Sequence, residues 1–494
     1  MSIALINPNL VVLRSDPFTT GIVYMPISLA YLAAALRQAG REVQVIDAYA
    51  AAPRQRHEEG NFMFFGLIEK QIIEQLPQEL EAIFVYAINL TNHLSTVAIV
   101  KAIKNAIPKT PVAVVENTQA VTAYALSQVA SEFYAAGADY ILTGEPEGRA
   151  IQLLDAITAG ATPETLRAID GIGTPAFYNA PLGFLSEPEL DILPLPAWDL
   201  FPLENYWSLH FAHGPLSARR YLPLLTSRGC PYPCGFCVVP ATNSQKWRPR
   251  SAGSVVNEIE HFNKTLGVAE FHIEDLDPTI SDPRIRQICD ELIRKNLKIT
   301  WKIAAGTKVE TMRDEETIDL MAKAGCRYIS ISPETGSPRL LKLMRKPFDL
   351  EHAVRLVKRM NQVDIRSQAC FVLGYPGETE EDLQMTWDLV RDLTRVGVDE
   401  IALFIITPVP GSAISSEFSG YKTLSELNFS PTWRKDYTRL NQFRVRLYAH
   451  FLWWKLRYHP LKLLRQPINF LRRRFETKME MVPYRALVLR WLAR

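Results

Sequence analysis

The residues most able to do chemistry are three cysteines. Cys230-Pro-Tyr-Pro-Cys234-Gly-Phe-Cys237 spaces them as C-x3-C-x2-C on a Gly- and Pro-rich loop. The chain has only six cysteines in 494 residues, too few for a disulfide scaffold, so their clustering is the signal. Clustered thiolates on one loop are the donor set of an iron–sulfur cluster. Three of them occupy three irons of a [4Fe–4S] cube, and the fourth iron stays open to a substrate. A zinc knuckle would use the same thiols but needs a fourth ligand, and the next histidine is His261. Incidental buried thiols are the remaining alternative. Cys289, Cys326 and Cys370 stand alone and read that way, as small hydrophobes.

The elements that must position this loop follow from the apolar runs. Residues 2–8, 42–47, 82–87, 111–115 and 139–143 are short apolar strand runs alternating with helical spacing. Buried strands alternating with helices predict a doubly wound parallel sheet, which binds ligands at the carboxyl ends of its strands. No G-x-G-x-x-G follows the first run, which removes the main support for a dinucleotide site. Residues 160–215 are rich in proline, as in Leu193-Pro-Leu-Pro-Ala-Trp-Asp-Leu-Phe-Pro202, and read as an extended linker. From Tyr221 to Thr407 six further strand–helix units follow in regular order. They predict a partial (β/α)6 barrel with its chemistry on the loops after the strands, and the cysteine loop follows the first of them. The expected division is 1–160, a linker over 161–215, a barrel over 216–415 and a helical, basic and aromatic region over 416–494.

Composition excludes several classes. Hydrophobic residues are 47% and charged residues 22%, as in a folded globular protein, which rules out long disorder. The net charge of +2 is not that of a nucleic-acid polycation. It hides an asymmetry, because residues 441–494 hold 13 Lys/Arg and two Asp/Glu. No apolar run reaches the length of a membrane-spanning helix, and the N-terminus reads as a strand rather than a signal peptide. A reducing cytoplasmic setting is the expectation.

A C-x3-C-x2-C motif after the first strand of a six-unit barrel resembles the radical S-adenosylmethionine (SAM) superfamily. Phe271-His-Ile-Glu-Asp-Leu-Asp, Ile331-Ser-Pro-Glu-Thr-Gly-Ser, Phe371-Val-Leu-Gly-Tyr-Pro-Gly-Glu-Thr and Thr407-Pro-Val-Pro-Gly411 resemble its cobalamin-binding branch. So do Pro26-Ile-Ser-Leu-Ala-Tyr-Leu-Ala and Thr143-Gly-Glu-Pro-Glu in the first sheet. The resemblance implies a [4Fe–4S] cluster on Cys230, Cys234 and Cys237, with SAM on its open iron. It implies SAM contacts from Phe236, Glu274, Asp275, Ser332, Glu334 and Gly374. A carboxylate there suits a desolvated ammonium, and a glycine lets backbone approach an adenine. It implies a Rossmann-like, cobalamin-binding first domain, with contacts from Asn89, Thr91, Glu116, Asn117, Gly144 and Glu145.

The first domain departs from that pattern twice. His57 and His93 are its only histidines before residue 200, and neither lies in a D-x-H-x-x-G motif. Cobalamin would then bind without a protein histidine on cobalt. The fourth strand ends in Val114-Val115-Glu116-Asn117-Thr118, where the family usually has Gly-Gly to pass the nucleotide tail.

The implied activity is reductive cleavage of SAM to a 5′-deoxyadenosyl radical, followed by methyl transfer from cobalamin to an unactivated carbon. The substrate would be a small molecule, a lipid or isoprenoid in view of the aromatic, basic tail. An external one-electron donor, of flavodoxin or ferredoxin type, is required. The alternative is the same radical chemistry without methyl transfer, giving coupling, ring formation, rearrangement or oxidation. A third alternative is a binding or scaffold protein that keeps a cluster without turnover. Residues 451–474 mix rings with cations, as in segments that lie on a membrane face, and Pro460 and Pro467 are expected to break them into short pieces. A helical cap packed on the barrel is the other reading of this stretch. No nucleic-acid partner is expected.

Overall fold

The computed structural model describes residues 2–16 and 18–492. The first sheet holds β1 (Ser2–Asn7), β2 (Glu42–Asp47), β3 (Leu80–Ala87), β4 (Val112–Glu116) and β5 (Tyr140–Leu142). They are parallel in the order β2-β1-β3-β4-β5, and Ile172–Gly173 adds an antiparallel edge. Strands such as Ala82–Ala87 are buried throughout, which is why they read as unbroken apolar runs. The chain leaves β1 for β2 on one side and returns to β3 on the other. The switch point therefore opens a crevice at the carboxyl ends of β1 and β3. Leu10–Leu13, Phe62–Phe65 and Arg56–Glu59 form a small antiparallel sheet beside it that sequence reading did not anticipate.

The second sheet runs β6 (Tyr221–Leu224), β7 (Glu270–Ile273), β8 (Thr300–Thr307), β9 (Cys326–Glu334), β10 (Arg366–Leu373) and β11 (Glu400–Ile405). All are parallel and pair in chain order, so the barrel is open between β6 and β11. The C-terminal region spans this opening. The buried Glu400 carboxylate accepts from the amides of Lys478 and Met479, the Phe475 amide reaches the Leu216 carbonyl, and Lys478 Nζ reaches the Ala304 carbonyl.

The Pro-rich stretch is not a free spacer. It carries Tyr206, whose hydroxyl donates to Asp47 of β2 at 2.7 Å, and Trp207, whose indole N–H donates to the Tyr221 carbonyl of β6 at 2.7 Å. Buried charges complete the join. Arg228 lies 2.6 Å from Glu147, Arg248 lies 2.8 Å from Glu145, and Arg250 lies 2.7 Å from Glu258, which also accepts from Tyr31. Glu145 and Glu147 open the helix Pro146–Thr158 of the first unit, whereas Arg228 and Arg248 lie on the ribbon that carries the cysteine loop. Each of these four side chains is 8% exposed or less.

Removing one partner of a desolvated pair leaves the other charged and buried, at a cost of about 3–5 kcal/mol. Glu145→Ala is expected to lose stability of that order in urea denaturation of the full chain. Asp199→Ala, which breaks the exposed Arg37 pair, is expected to cost less than about 1 kcal/mol.

Candidate active site

The cysteine loop leaves β6 through the ribbon Ser227–Arg228, paired antiparallel with Arg248–Pro249. Gly229 turns the chain with φ +76°, and a Cβ there would lie 1.9 Å from the Lys246 carbonyl oxygen, so only glycine fits. Farther on, the Gly235 amide donates to the Met344 carbonyl and the Cys237 amide to the Cys234 carbonyl. Cys234 is buried, and Cys230 and Cys237 are half-buried. Burial pushes the thiols of Cys230 and Cys237 up to about 12. Iron takes thiolate, so ligation must release these protons. Lys346 and Lys308 are the cations nearest Cys234, and Lys308 Nζ sits 3.4 Å over the Tyr232 ring. Each lysine also pairs with a carboxylate, Lys346 with Glu334 and Lys308 with Glu310, and the three clustered thiols fit an iron–sulfur cluster. Among the described residues no group of three or more His, Cys, Asp or Glu converges as on a single ion.

At the switch point of the first sheet, between it and the barrel, lies a cleft that encloses about 90 Å³. The first unit lines it with Tyr24–Ser28, Tyr86–Asn89 side chains and the turn Asn117–Thr122, and the barrel side adds His213, His272, Glu274 and Leu276. Gln119 is buried, and its Oε1 has no hydrogen-bond partner among the described residues. A second cavity of about 60 Å³ shares Tyr24, Asn89, Val121 and Thr122 with the first, and Ile22, Leu90, Leu427 and Phe429 make its walls apolar. An unpaired amide oxygen beside further amides and hydroxyls can pair with amide groups of the kind that rim cobalamin.

The structure sorts the residues expected to bind cobalamin. Asn89 and Asn117 line the cleft, and Thr91 lines the second cavity. Glu116, Gly144 and Glu145 line neither. The Glu116 carboxylate instead accepts from the amides of Gly144 (2.7 Å) and Leu126 (2.8 Å), tying the ends of β4 and β5 together. Glu145 is held by Arg248 and by the Leu185 amide. Neither His57 nor His93 lines the cleft. His93 is buried between Tyr124 and Glu132.

Of the residues expected to touch SAM, Glu274 and Asp275 border the cleft. Asp275 is completely buried and accepts from the Thr226 amide and hydroxyl and from the Ser227 hydroxyl, so it anchors the start of the cysteine ribbon. Glu334 takes a positive φ and pairs with Lys346 at 2.6 Å, and Lys346 also reaches the Ser332 carbonyl. Phe236 packs among Met344, Tyr375 and Ile414. The backbone of Gly374 is already engaged, its amide by Glu378 and its carbonyl by Arg434.

Sequence reading missed His213. Its Nδ1 lies 2.7 Å from Glu274 Oε2, its ring is 4.6 Å from Tyr24, and burial lowers its basicity despite the adjacent carboxylate. It lies in the Pro-rich stretch, with no local pattern to mark it.

Comparison with known proteins agrees with this geometry. Residues 224–390 match the model of the Radical SAM superfamily. That stretch, most of the barrel, is a radical SAM domain, and the chain is an enzyme. Over 456 residues it is 26% identical to cytidylyl-2-hydroxyethylphosphonate methyltransferase of Streptomyces wedmorensis, covering 84% of this chain and 81% of that one. It is 30% identical over 264 residues to the anaerobic magnesium-protoporphyrin IX monomethyl ester cyclase of Rubrivivax gelatinosus, covering 51% of this chain and 45% of the cyclase. The fold is that of the radical SAM methyltransferase TsrM from Kitasatospora setae (TM-score 0.61, 19% identity, 85% of this chain and 77% of that one). It is equally that of the cobalamin-dependent SAM radical enzyme OxsB (TM-score 0.61, 18% identity, 91% and 56%).

Burial raises Glu116 from 4.5 to about 7, against the two amide hydrogen bonds that oppose it. A carboxyl raised on folding holds its proton longer in the native state, so its contribution falls as pH rises from about 4.5 to 7. Glu116→Gln is expected to remove that slope, about 1.4 kcal/mol per pH unit at most, from stability measured against pH.

Proposed function

We propose that this enzyme is a cobalamin-dependent radical SAM methyltransferase acting on an unactivated carbon of a hydrophobic small molecule. The observation that carries the reading is the cleft at the sheet's switch point, lined by Asn89, Asn117 and Gln119 of the first unit and by Glu274 and Asp275 of the barrel. Cys230, Cys234 and Cys237 would hold a [4Fe–4S] cluster, which when bound supplies the electron that cleaves the carbon–sulfur bond of SAM. Asn89, Asn117 and Gln119 would hold the amide rim of cobalamin, which when bound supplies the methyl group. Lys346 and Lys308 offset negative charge at the cysteine loop. Glu274 fixes the orientation of His213 at the cleft wall. The apolar walls around Val121, Leu427 and Phe429 exclude water and favour a hydrophobic substrate. The reading includes an external flavodoxin- or ferredoxin-like electron donor and a cytoplasmic enzyme seated peripherally on a membrane. The methyltransferase name of the Streptomyces relative supports it.

One observation favours radical chemistry without methyl transfer. The Glu116 side chain crosses the ends of β4 and β5, where the family's Gly-Gly leaves room for the nucleotide tail. The two readings differ in their products. After anaerobic reconstitution with iron, sulfide and hydroxocobalamin and addition of a strong reductant, the full chain is expected to convert SAM to both 5′-deoxyadenosine and S-adenosylhomocysteine. Deoxyadenosine alone would support the second reading. Cys234→Ala is expected to abolish deoxyadenosine and lower bound iron, while Cys289→Ala leaves both unchanged.

A further inference from the structure

Three helices end the chain, Tyr437–Tyr458, Pro460–Arg472 and Lys478–Leu492. The first packs Leu440, Phe443, Leu447, Phe451 and Trp454 inward, with Trp387 of the helix Glu380–Val396 against Phe443 and Trp454. The second is different, because none of its residues is buried. Pro467, expected to break it, lies within it, and Pro460 opens it. A proline at the first helical position costs no hydrogen bond, since that N–H has no intrahelical acceptor.

Leu461, Leu464, Ile468 and Leu471 are 50–81% exposed and recur at the spacing of one helix face. Trp453 and Leu456 of the preceding helix, 60% and 56% exposed, extend the apolar surface toward its start. Arg465 and Arg472 follow one residue after Leu464 and Leu471, at the edge of the stripe. Between residues 437 and 475 the chain has ten Lys/Arg and no Asp/Glu. Exposed Arg457, Arg465, Arg472 and Arg474 have no ion pair among the described residues. No helix among the described residues is long and apolar enough to cross a membrane.

We propose that this face seats the enzyme on an anionic lipid surface, with the Leu461–Leu471 stripe in the headgroup boundary and the arginines on lipid phosphates. An apolar stripe with an exposed tryptophan and a carboxylate-free basic rim is the pattern of an interfacial helix. The charge selects the occupant. The helix itself carries no carboxylate, and its unpaired arginines complement anionic headgroups, whereas a second copy of the same face would bring like charges together. The inference is independent of methyl transfer and concerns where the enzyme works.

The test is flotation of the full chain with vesicles of neutral phosphatidylcholine and with vesicles containing anionic phosphatidylglycerol. Binding is expected to anionic vesicles only, and to weaken at high salt. Leu464→Glu with Ile468→Glu is expected to weaken it at least about tenfold, and Arg472→Ala with Arg474→Ala to weaken it and flatten its salt dependence. These side chains are exposed, so thermal unfolding and SAM cleavage should stay as in the wild type. Equal partition of wild type and stripe variant would overturn the proposal. So would a concentration-dependent dimer that the stripe variant abolishes while vesicle binding is absent.

Discussion

Four charged side chains with almost no access to water hold the two units of this enzyme together. Arg228 and Arg248 meet Glu147 and Glu145 where the cysteine ribbon touches the first sheet's helix. Such contacts earn little net stability over an apolar alternative, yet they are directional, and a slip between the units would strand buried charge. Arg228 sits directly before Gly229 and Cys230 in the chain, and Arg248 pairs with it across the ribbon. The position of the cysteine loop relative to the cleft is thus fixed by the same interaction that joins the units. Asp275 adds to it from beneath, by gathering Thr226 and Ser227.

Around this join the molecule divides its surfaces by chemistry. Amides and hydroxyls gather on the first sheet's side of the cleft, apolar walls gather toward the C-terminal segment, and cations stand by the cysteines. The C-terminal region does two separate things. Its last helix and the preceding turn span the opening between β6 and β11 by satisfying Glu400. Its middle helix keeps an apolar face turned outward.

What the sequence revealed was local. The C-x3-C-x2-C spacing and the parallel strands of both sheets are contiguous patterns, and all of the latter appear within a few residues of where their apolar runs lie, whereas the antiparallel edge Ile172–Gly173 falls in the stretch read as a linker. The antiparallel sheet near the N-terminus escaped notice because its strands have four residues each and one of them, Arg56-His-Glu-Glu59, is polar throughout. The clamp escaped notice because about eighty residues separate Glu147 from Arg228, and no spacing rule reaches that far. Glu145 read as a ligand by its place in a motif, but its partners are two arginines from the other unit. His213 was invisible for the same reason, as it acquires a role only beside Glu274. Glu116 was noticed as an oddity, and the structure gives it a use, since its carboxylate closes the amides of Gly144 and Leu126.

The proposed function stands or falls with whether the cleft between the units holds a corrinoid. The most direct measurement is the cobalt and iron content of the full chain after anaerobic reconstitution with hydroxocobalamin and removal of unbound cofactor. The account predicts about four irons and one cobalt per chain. Four irons without cobalt would contradict it and leave the cleft to substrate alone.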